Sequence, residues 1–161
     1  METVKDKNHD STELLQLVSF KIGSEEYGID ILNVKEINRM VSITKVPNSP
    51  VFVEGIINLR GQIIPVVSLR TKLGMTKIEY DKDTRIVIVD IDGRTVGFLV
   101  DAVSEVLRIP RNITEAPPEL TTGKDSEYIT AVGKLEDRLL TLLDLNKVLV
   151  KEEKKLIETI N

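Results

Sequence analysis

The chain has 161 residues, of which 41% are hydrophobic and 30% are charged, and its formal net charge is −4. This composition is typical of a soluble globular protein, and the negative charge argues against broad binding to nucleic-acid phosphates. The absence of cysteine excludes disulfides and thiolate metal sites and is compatible with a cytoplasmic protein. No apolar run is long enough for a membrane span. The polar residues 1–12 lack the apolar stretch of a signal peptide and are expected to form a disordered tail.

The first predicted elements form a β-hairpin. Alternating apolar residues predict one strand over residues 15–22 and another over residues 27–31. After Ile31 the apolar spacing changes to three, through Val34 and Ile37. The second strand is therefore expected to run into a bent or helical turn.

A second hairpin is predicted over residues 51–59 and 63–69, with Arg60 and Gly61 at its tip. Glycine can adopt the positive φ that a tight hairpin turn needs. Ser68 is a good N-cap, so a short helical turn should follow the hairpin.

The second half of the chain repeats the first. The segment over residues 20–37 returns 69 positions later, and the strand over residues 64–69 returns 76 positions later. The charged residues 75–83 would link two intertwined copies, approximately 13–74 and 84–150. About five short strands in each copy predict a small, closed or nearly closed barrel. Because a half of this size is marginal alone, the two barrels should share one core within a single domain, 13–161.

The end of the chain is predicted to contain a loop and a helix. Residues 110–127 are rich in Pro, Gly and Thr, which indicates a surface loop. Asp144 occupies the position equivalent to Ser68 and should cap a C-terminal helix near residues 145–157.

Residues suited to catalysis are scarce. The single histidine, His9, lies in the predicted tail. No His pair or glycine-rich phosphate loop is present, so neither a metal site nor a cofactor is expected. Asp101 and Glu105 are four positions apart and could form an acid–base pair. However, Glu105 has an equivalent, Glu36, in the other copy, and residues duplicated in this way are more often solvated faces or caps. The sequence favours a protein that is not an enzyme.

Two apolar ridges, one in each copy, are candidates for binding: Ile31, Val34 and Ile37 in the first, and Val100, Val103 and Val106 in the second. They are either core residues or the lining of a groove for a partner helix. Arg60 differs from its equivalent, Glu136. Its guanidinium is either an ordinary surface group or reaches a partner carboxylate from the rigid hairpin tip.

Residues 53–69, with the sequence VEGIINLRGQIIPVVSL, resemble the signature of the CheW family, the coupling proteins of bacterial chemotaxis. The resemblance extends over roughly residues 14–149 and includes VGFLVD at residues 96–101. It implies a mostly β fold with two five-stranded, SH3-like barrels, packed around a shared hydrophobic centre.

The resemblance also implies a non-enzymatic adaptor that connects the cytoplasmic tips of chemoreceptors to the regulatory domain of the histidine kinase CheA. Such a protein is a monomer in isolation, joins a larger array and does not itself enter the membrane. In the family a helical hairpin of the receptor docks between the barrels, and the matching positions are Val18, Ile31, Val34, Ile37 and Val103. Glu36 and Arg60 match positions linked to partner binding. The kinase contact would lie near Ile43, Val46, Pro47 and Phe52.

Two alternatives stay open. The chain could be another member of the same superfamily, either a detached kinase regulatory domain or a CheV-like adaptor. Its length and the lack of a receiver module count against the CheV-like adaptor. A small barrel could also bind oligonucleotides, but that activity needs exposed aromatics and a basic face. Three phenylalanines, three tyrosines and an acidic balance fit it poorly.

Overall fold

The structure is a computed structural model, and it describes residues 13–117 and 127–160, with the side chains of residues 151–152 and 159–160 excepted. The predicted tail over residues 1–12 and part of the predicted loop over residues 110–127 lie outside the described residues.

The described residues form the following elements: β1 (Leu14–Ile22), β2 (Glu25–Asp30), β3 (Val34–Arg39), β4 (Val53–Leu59), β5 (Gln62–Ser68), α1 (Leu69–Lys72), β6 (Arg85–Ile91), β7 (Arg94–Val100), β8 (Ala102–Pro110), β9 (Thr114–Glu115), β10 (Ile129–Lys134), β11 (Leu139–Leu143), α2 (Leu145–Val148) and α3 (Lys151–Ile160). Two 3₁₀ turns lie at Ile31–Asn33 and Arg111–Ile113. The strands form a six-stranded sheet, in the order β8-β1-β2-β11-β10-β9, and a five-stranded sheet, in the order β3-β6-β7-β5-β4. The predicted mostly β fold is confirmed.

Each sheet takes strands from both halves of the sequence. In the six-stranded sheet, β1 pairs antiparallel with β8, and β2 pairs parallel with β11. In the five-stranded sheet, β6 pairs antiparallel with β3, and β7 pairs parallel with β5. The predicted copies, 13–74 and 84–150, therefore exchange their first two strands. β1 and β2 of the first copy lie in the sheet of the second, and β6 and β7 of the second copy lie in the sheet of the first.

The core is divided into three clusters by the alternation of side chains along the strands. On β6, Val87 and Val89 belong to a shared cluster that contains residues of both sheets. Ile86 and Ile88, on the other face of β6, belong to a cluster within the five-stranded sheet. The six-stranded sheet has its own cluster around Leu140. The shared cluster is the hydrophobic centre that joins the two sheets.

Two glycines matched by the repeat show how tightly the sheets close around their own clusters. A Cβ on Gly28 would lie 3.2 Å from Cδ2 of Leu142, and a Cβ on Gly97 would lie 2.7 Å from Cγ2 of Ile86. Real Cβ atoms do not approach other atoms as closely as the second distance without a shift. A methyl group at Gly97 would require Ile86 to move, whereas at Gly28 a smaller shift of Leu142 would accommodate it.

The C-terminal segment differs from the prediction of one helix near 145–157. Asp144 caps α2 as expected, with Oδ1 accepting a hydrogen bond from Asn146 N at 3.0 Å. The chain then becomes extended at Leu149, which is buried, and α3 begins two residues later, at Lys151. None of the described helices is long and apolar enough to cross a membrane.

Candidate partner-binding site

The apolar ridge of the first half lies on the 3₁₀ turn and on the edge strand β3. Val34 lies opposite Val89 and Ile37 lies opposite Val87, with one extra residue on β3 between them. This β-bulge brings two residues that are three positions apart onto one face of the strand. The apolar spacing of three predicted a bent or helical turn. In the structure it arises from a 3₁₀ turn that begins at Ile31 and from the β-bulge that follows it.

The second half repeats this geometry on β8. Val103 lies opposite Phe20 and Val106 lies opposite Val18, again with one extra residue between them. Val103 is half-buried, whereas Val106 is 56% exposed. Val100, the third residue of this predicted ridge, is 2% exposed and belongs to the core.

The predicted receptor contacts divide into surface and core residues. Ile31, Val34 and Val103 are half-buried and pack against the shared cluster, and Ile37 is 38% exposed. Val18 is 2% exposed, lies opposite Val106 on the neighbouring strand and belongs to the shared cluster, so it offers no area to a partner. The bulges place Val106 with this set, although the predicted site did not include it. We call these five residues the ridge surface: Ile31, Val34, Ile37, Val103 and Val106.

Arg60 occupies a strained position at the tip of the β4–β5 hairpin. Its φ is 53° and that of Gly61 is 88°. Both central residues of the turn are thus left-handed, as in a type I′ turn. The Gly61 N–H donates to Asn58 Oδ1 at 2.8 Å, which closes the turn. A left-handed arginine costs about 1 kcal/mol, and such strain is often retained where a side chain must be held in a given direction.

The Arg60 guanidinium forms a bidentate pair with Glu36 of β3. Nη1 donates to Oε1 at 3.3 Å, and Nη2 donates to Oε2. The hydrogen bond with Glu36 raises the pKa of Arg60. The bidentate geometry expected with a partner carboxylate therefore forms within the chain. The Arg60 side chain is nevertheless 69% exposed, compared with 32% for Glu36.

The second half has an equivalent ion pair in which Arg138 takes the place of Arg60. Glu105, the equivalent of Glu36, lies 3.6 Å from Arg138 Nη2. The β10–β11 connection has four residues, whereas the β4–β5 turn has two. Because of this difference in loop length, the constant offset of 76 positions used to compare the copies matched Arg60 with Glu136 and not with Arg138. Arg138 also donates to the buried Glu26 at 2.5 Å. The halves therefore differ in how firmly the arginine is held, and not in whether an arginine is present.

Asp101 and Glu105 do not form an acid–base pair. Asp101 accepts hydrogen bonds from Arg70 Nε at 3.1 Å and from Gly23 N at 2.7 Å. Glu105 is paired with Arg138. Within residues 13–117 and 127–160, no group of three or more His, Cys, Asp or Glu side chains could hold a metal ion.

The predicted kinase contacts lie between β3 and the start of β4: Ile43, Val46, Pro47 and Phe52. Phe52 is 7% exposed, and Lys72 Nζ lies 4.8 Å from the centre of its ring. Ile43 packs against the cluster of the five-stranded sheet, whereas Pro47 is exposed. Val51 was not predicted as a contact, yet it is 84% exposed beside the buried Phe52.

The two sheets, their shared cluster and the apolar residues around it define a two-sheet module of the kind found in adaptor proteins. The family model described as the CheW-like domain matches residues 16–153, and the chain belongs to this family. Its relatives are named as chemotaxis proteins, and one solved structure is named as a scaffolding protein, so the predicted class of coupling protein is confirmed.

Similar proteins and a solved structure cover most of the chain. This chain is 38% identical over 145 residues to the chemotaxis protein CheW of Klebsiella aerogenes, and the match covers 90% of this chain and 87% of that protein. It is also 38% identical over 146 residues to the chemotaxis protein CheW of Helicobacter pylori, with 91% and 88% covered. The crystal structure of the scaffolding protein TtCheW from Thermoanaerobacter tengcongensis matches with a TM-score of 0.79 and 42% identity. That match covers 86% of this chain and 94% of the other.

Proposed function

We propose that this chain is a non-enzymatic cytoplasmic adaptor that couples the tips of chemoreceptors to the histidine kinase CheA. The ridge surface is the observation that carries the proposal. It places apolar side chains of both halves around the shared cluster, and the Arg60–Glu36 pair lies on the other face of the same edge strand, β3. The receptor tip is a helical hairpin, and an amphipathic helix packs its apolar face onto a surface of this kind.

The receptor contact is expected to be weak by itself. Ile31, Val34 and Val103 are already half-buried, so a partner removes little further apolar area from water at each of them. The main gain comes from Ile37 and Val106, which are 38% and 56% exposed. Many such contacts in one array would supply avidity.

Arg60 gives this contact a directed polar group. Glu36 holds the guanidinium from one side, and most of the side chain faces solvent. Because this orientation exists before binding, less side-chain entropy is lost when a partner carboxylate approaches. The guanidinium has five N–H donors and Glu36 engages two of them, so the others are positioned to donate to a carboxylate of a receptor helix.

The kinase contact is proposed at the segment between β3 and β4. Val46 and Pro47 keep accessible area there, and Val51 adds an apolar side chain that is 84% exposed. Phe52 supports this segment from the shared cluster. Because receptor and kinase would occupy separate surfaces of one rigid domain, the adaptor passes information between them through coupled binding free energies.

Co-sedimentation with membranes that carry a full-length chemoreceptor, with and without the kinase, tests the proposal. The native chain should sediment with receptor and increase the recovery of kinase, and Arg60→Glu should do neither. Lys134→Glu is the matched control, because Lys134 is also an exposed cation paired with a carboxylate. If the native chain does not sediment in any condition, the coupling function is wrong. If Arg60→Glu loses cooperative melting, Arg60 has a structural role instead.

A charge swap distinguishes two possible roles of the Arg60–Glu36 pair: contact with the receptor, and the link between the β4–β5 hairpin and β3. The double variant Glu36→Arg, Arg60→Glu keeps an ion pair across the same strands but reverses the group that faces solvent. If the guanidinium of Arg60 contacts the receptor, the swap should fold as the native chain does and still fail to bind. Restored binding would mean that only the link between the hairpin and β3 matters.

A further inference from the structure

We infer that an ion pair between Lys72 and Glu153 positions the proposed kinase contact. The pair does so by holding the ring of Phe52, which fixes the direction of its exposed neighbour, Val51. Lys72 lies on α1 and Glu153 lies on α3, so the C-terminal helix acts on a surface of the first half. The inference rests on the proposed coupling function and adds to it two residues that act through Phe52.

Val51 and Phe52 are the central residues of one turn. The Val53 N–H donates to the Pro50 carbonyl oxygen at 3.0 Å, which closes the turn. Phe52 is buried in the shared cluster, whereas Val51 is exposed. Because the two residues share one closed turn, the position of the buried ring sets the direction in which Val51 faces a partner.

The short helix α1 contacts Phe52 at both of its ends. Ser68, the N-cap of α1, donates its backbone N–H to the Phe52 carbonyl oxygen at 2.8 Å. At the other end of α1, the Lys72 ammonium lies over the Phe52 ring at a cation–π distance. The first contact fixes the backbone of Phe52, and the second fixes its ring.

The beginning of α3 fixes the Lys72 ammonium. Its Nζ donates to Oε1 and Oε2 of Glu153 at 2.7 and 2.6 Å. Glu153 Oε1 also accepts a hydrogen bond from Val150 N at 2.9 Å, so the carboxylate is itself held at the start of the helix. The Lys72 and Glu153 side chains are 16% and 21% exposed, and salt screens such a pair less than a fully exposed one.

The repeat supplies an internal comparison for this turn. The residue 76 positions after Phe52 is Tyr128. The Tyr128 carbonyl oxygen accepts a hydrogen bond from Asp144 N at 2.8 Å, as that of Phe52 does from Ser68 N. The two turns therefore occupy equivalent places in the fold.

The two halves differ in the residues around this shared turn. The equivalent of Lys72 is Val148, which is buried in the shared cluster. The equivalent of Val51 is Glu127, which is exposed and charged. The half that exposes a valine is thus the half that has a lysine on the supporting ring. The carboxylate that holds this lysine comes from α3, which begins where the second copy ends.

The test is a calorimetric titration of the full chain with full-length CheA, without receptor. Lys72→Met keeps an apolar stem of similar length and removes the cation, and Glu153→Gln removes the charge that holds it. Each should weaken kinase binding about two- to tenfold, the loss expected when one further side chain must be ordered on binding. Lys72→Arg should bind close to the native affinity, because a guanidinium can stack on the ring and pair with the carboxylate.

Two controls separate positioning from stability. Lys154→Met is the matched control, because Lys154 also lies on α3 but pairs with Asp92 of the β6–β7 turn. It should bind the kinase as the native chain does, and the Lys72 and Glu153 variants should melt close to it. All of these variants should still sediment with receptor-bearing membranes, since a purely structural role would weaken both contacts together.

Three outcomes overturn the inference. If Lys72→Met and Glu153→Gln bind the kinase natively while Val51→Asp binds weakly, the ion pair does not position the contact, and the coupling function stands. If both variants lose receptor and kinase binding together and melt early, the pair is structural. If Val51→Asp binds the kinase natively, or the native chain does not bind it, the proposed kinase contact fails and the inference fails with it.

Discussion

Asp101 forms an ion pair with Arg70 and also binds the N–H of Gly23, and we call this arrangement the Asp101 clamp. It is expected to make a large electrostatic contribution to stability. Its carboxylate accepts hydrogen bonds from Nε and Nη2 of Arg70 at 3.1 Å and from Gly23 N at 2.7 Å. The Arg70 and Asp101 side chains are 16% and 22% exposed. Removing one partner of a fully buried pair costs about 3–5 kcal/mol. Because this pair keeps some solvent, Asp101→Ala should cost about 2–3 kcal/mol.

Thermal and urea unfolding followed by circular dichroism measure this loss. For a chain of this size, about 2–3 kcal/mol corresponds to a melting temperature lower by roughly 5–10 °C. The control is Glu115→Ala, which removes a pair whose side chains are 64% and 56% exposed. It should change stability by less than about 1 kcal/mol.

A double-mutant cycle with Arg70→Ala isolates the pair from the rest of the site. A coupling energy of about 1 kcal/mol or more is expected between Asp101 and Arg70. If Asp101→Ala costs no more than Glu115→Ala, or if the cycle shows no coupling, the clamp does not stabilise the fold and the reasoning from burial is refuted.

Three further predictions concern substitutions of buried residues: the removal of a hydroxyl, the addition of a methyl group at two glycines, and the removal of a phenol. The Ser19 hydroxyl is buried without a partner in the described part of the chain, so Ser19→Ala should melt at the native temperature or above it; a loss of more than about 1 kcal/mol would contradict this. Gly97→Ala places a methyl group 2.7 Å from Ile86 and should cost about 1–3 kcal/mol in urea unfolding. Gly28→Ala, where the nearest gap is 3.2 Å, should cost less, and an equal cost would count against the packing argument. Burial raises the pKa of Tyr27 above its usual 10.0. The stability from its neutral phenol is therefore fully present below about pH 10 and is lost at higher pH. Tyr27→Phe should flatten this alkaline decline in melting temperature, and an unchanged decline would assign it to other groups.

Local pattern was enough to predict the hairpins. The alternation along β1 and β2, and the turn at Arg60-Gly61, both form as expected. The exchange of strands was not predictable in this way, because alternation shows which face of a strand is buried but not which strand lies beside it. Pairs such as β2 with β11 join distant parts of the chain through only a few residues.

The candidate site was predicted in part. The ridge residues were recognisable from their spacing, although a bulge, and not a helical turn, accounts for the distance from Val34 to Ile37. The Arg60–Glu36 pair was missed because a hairpin tip and an edge strand meet only after the sheet curls. Phe52 was predicted by the resemblance to lie near the kinase contact, whereas its side chain is buried in the shared cluster. Burial of this kind depends on which surfaces pack together, and no local pattern encodes it.

The exchange of strands also has a consequence for the order in which the protein is made. The first hairpin, β1–β2, leaves the ribosome long before its neighbours β8 and β11, so the six-stranded sheet must await nearly the whole chain. Late contacts of this kind slow folding. A cut within residues 75–83 would yield two fragments that each hold strands of both sheets. Such fragments are expected to assemble only with each other, and neither half is a folding unit that could survive alone.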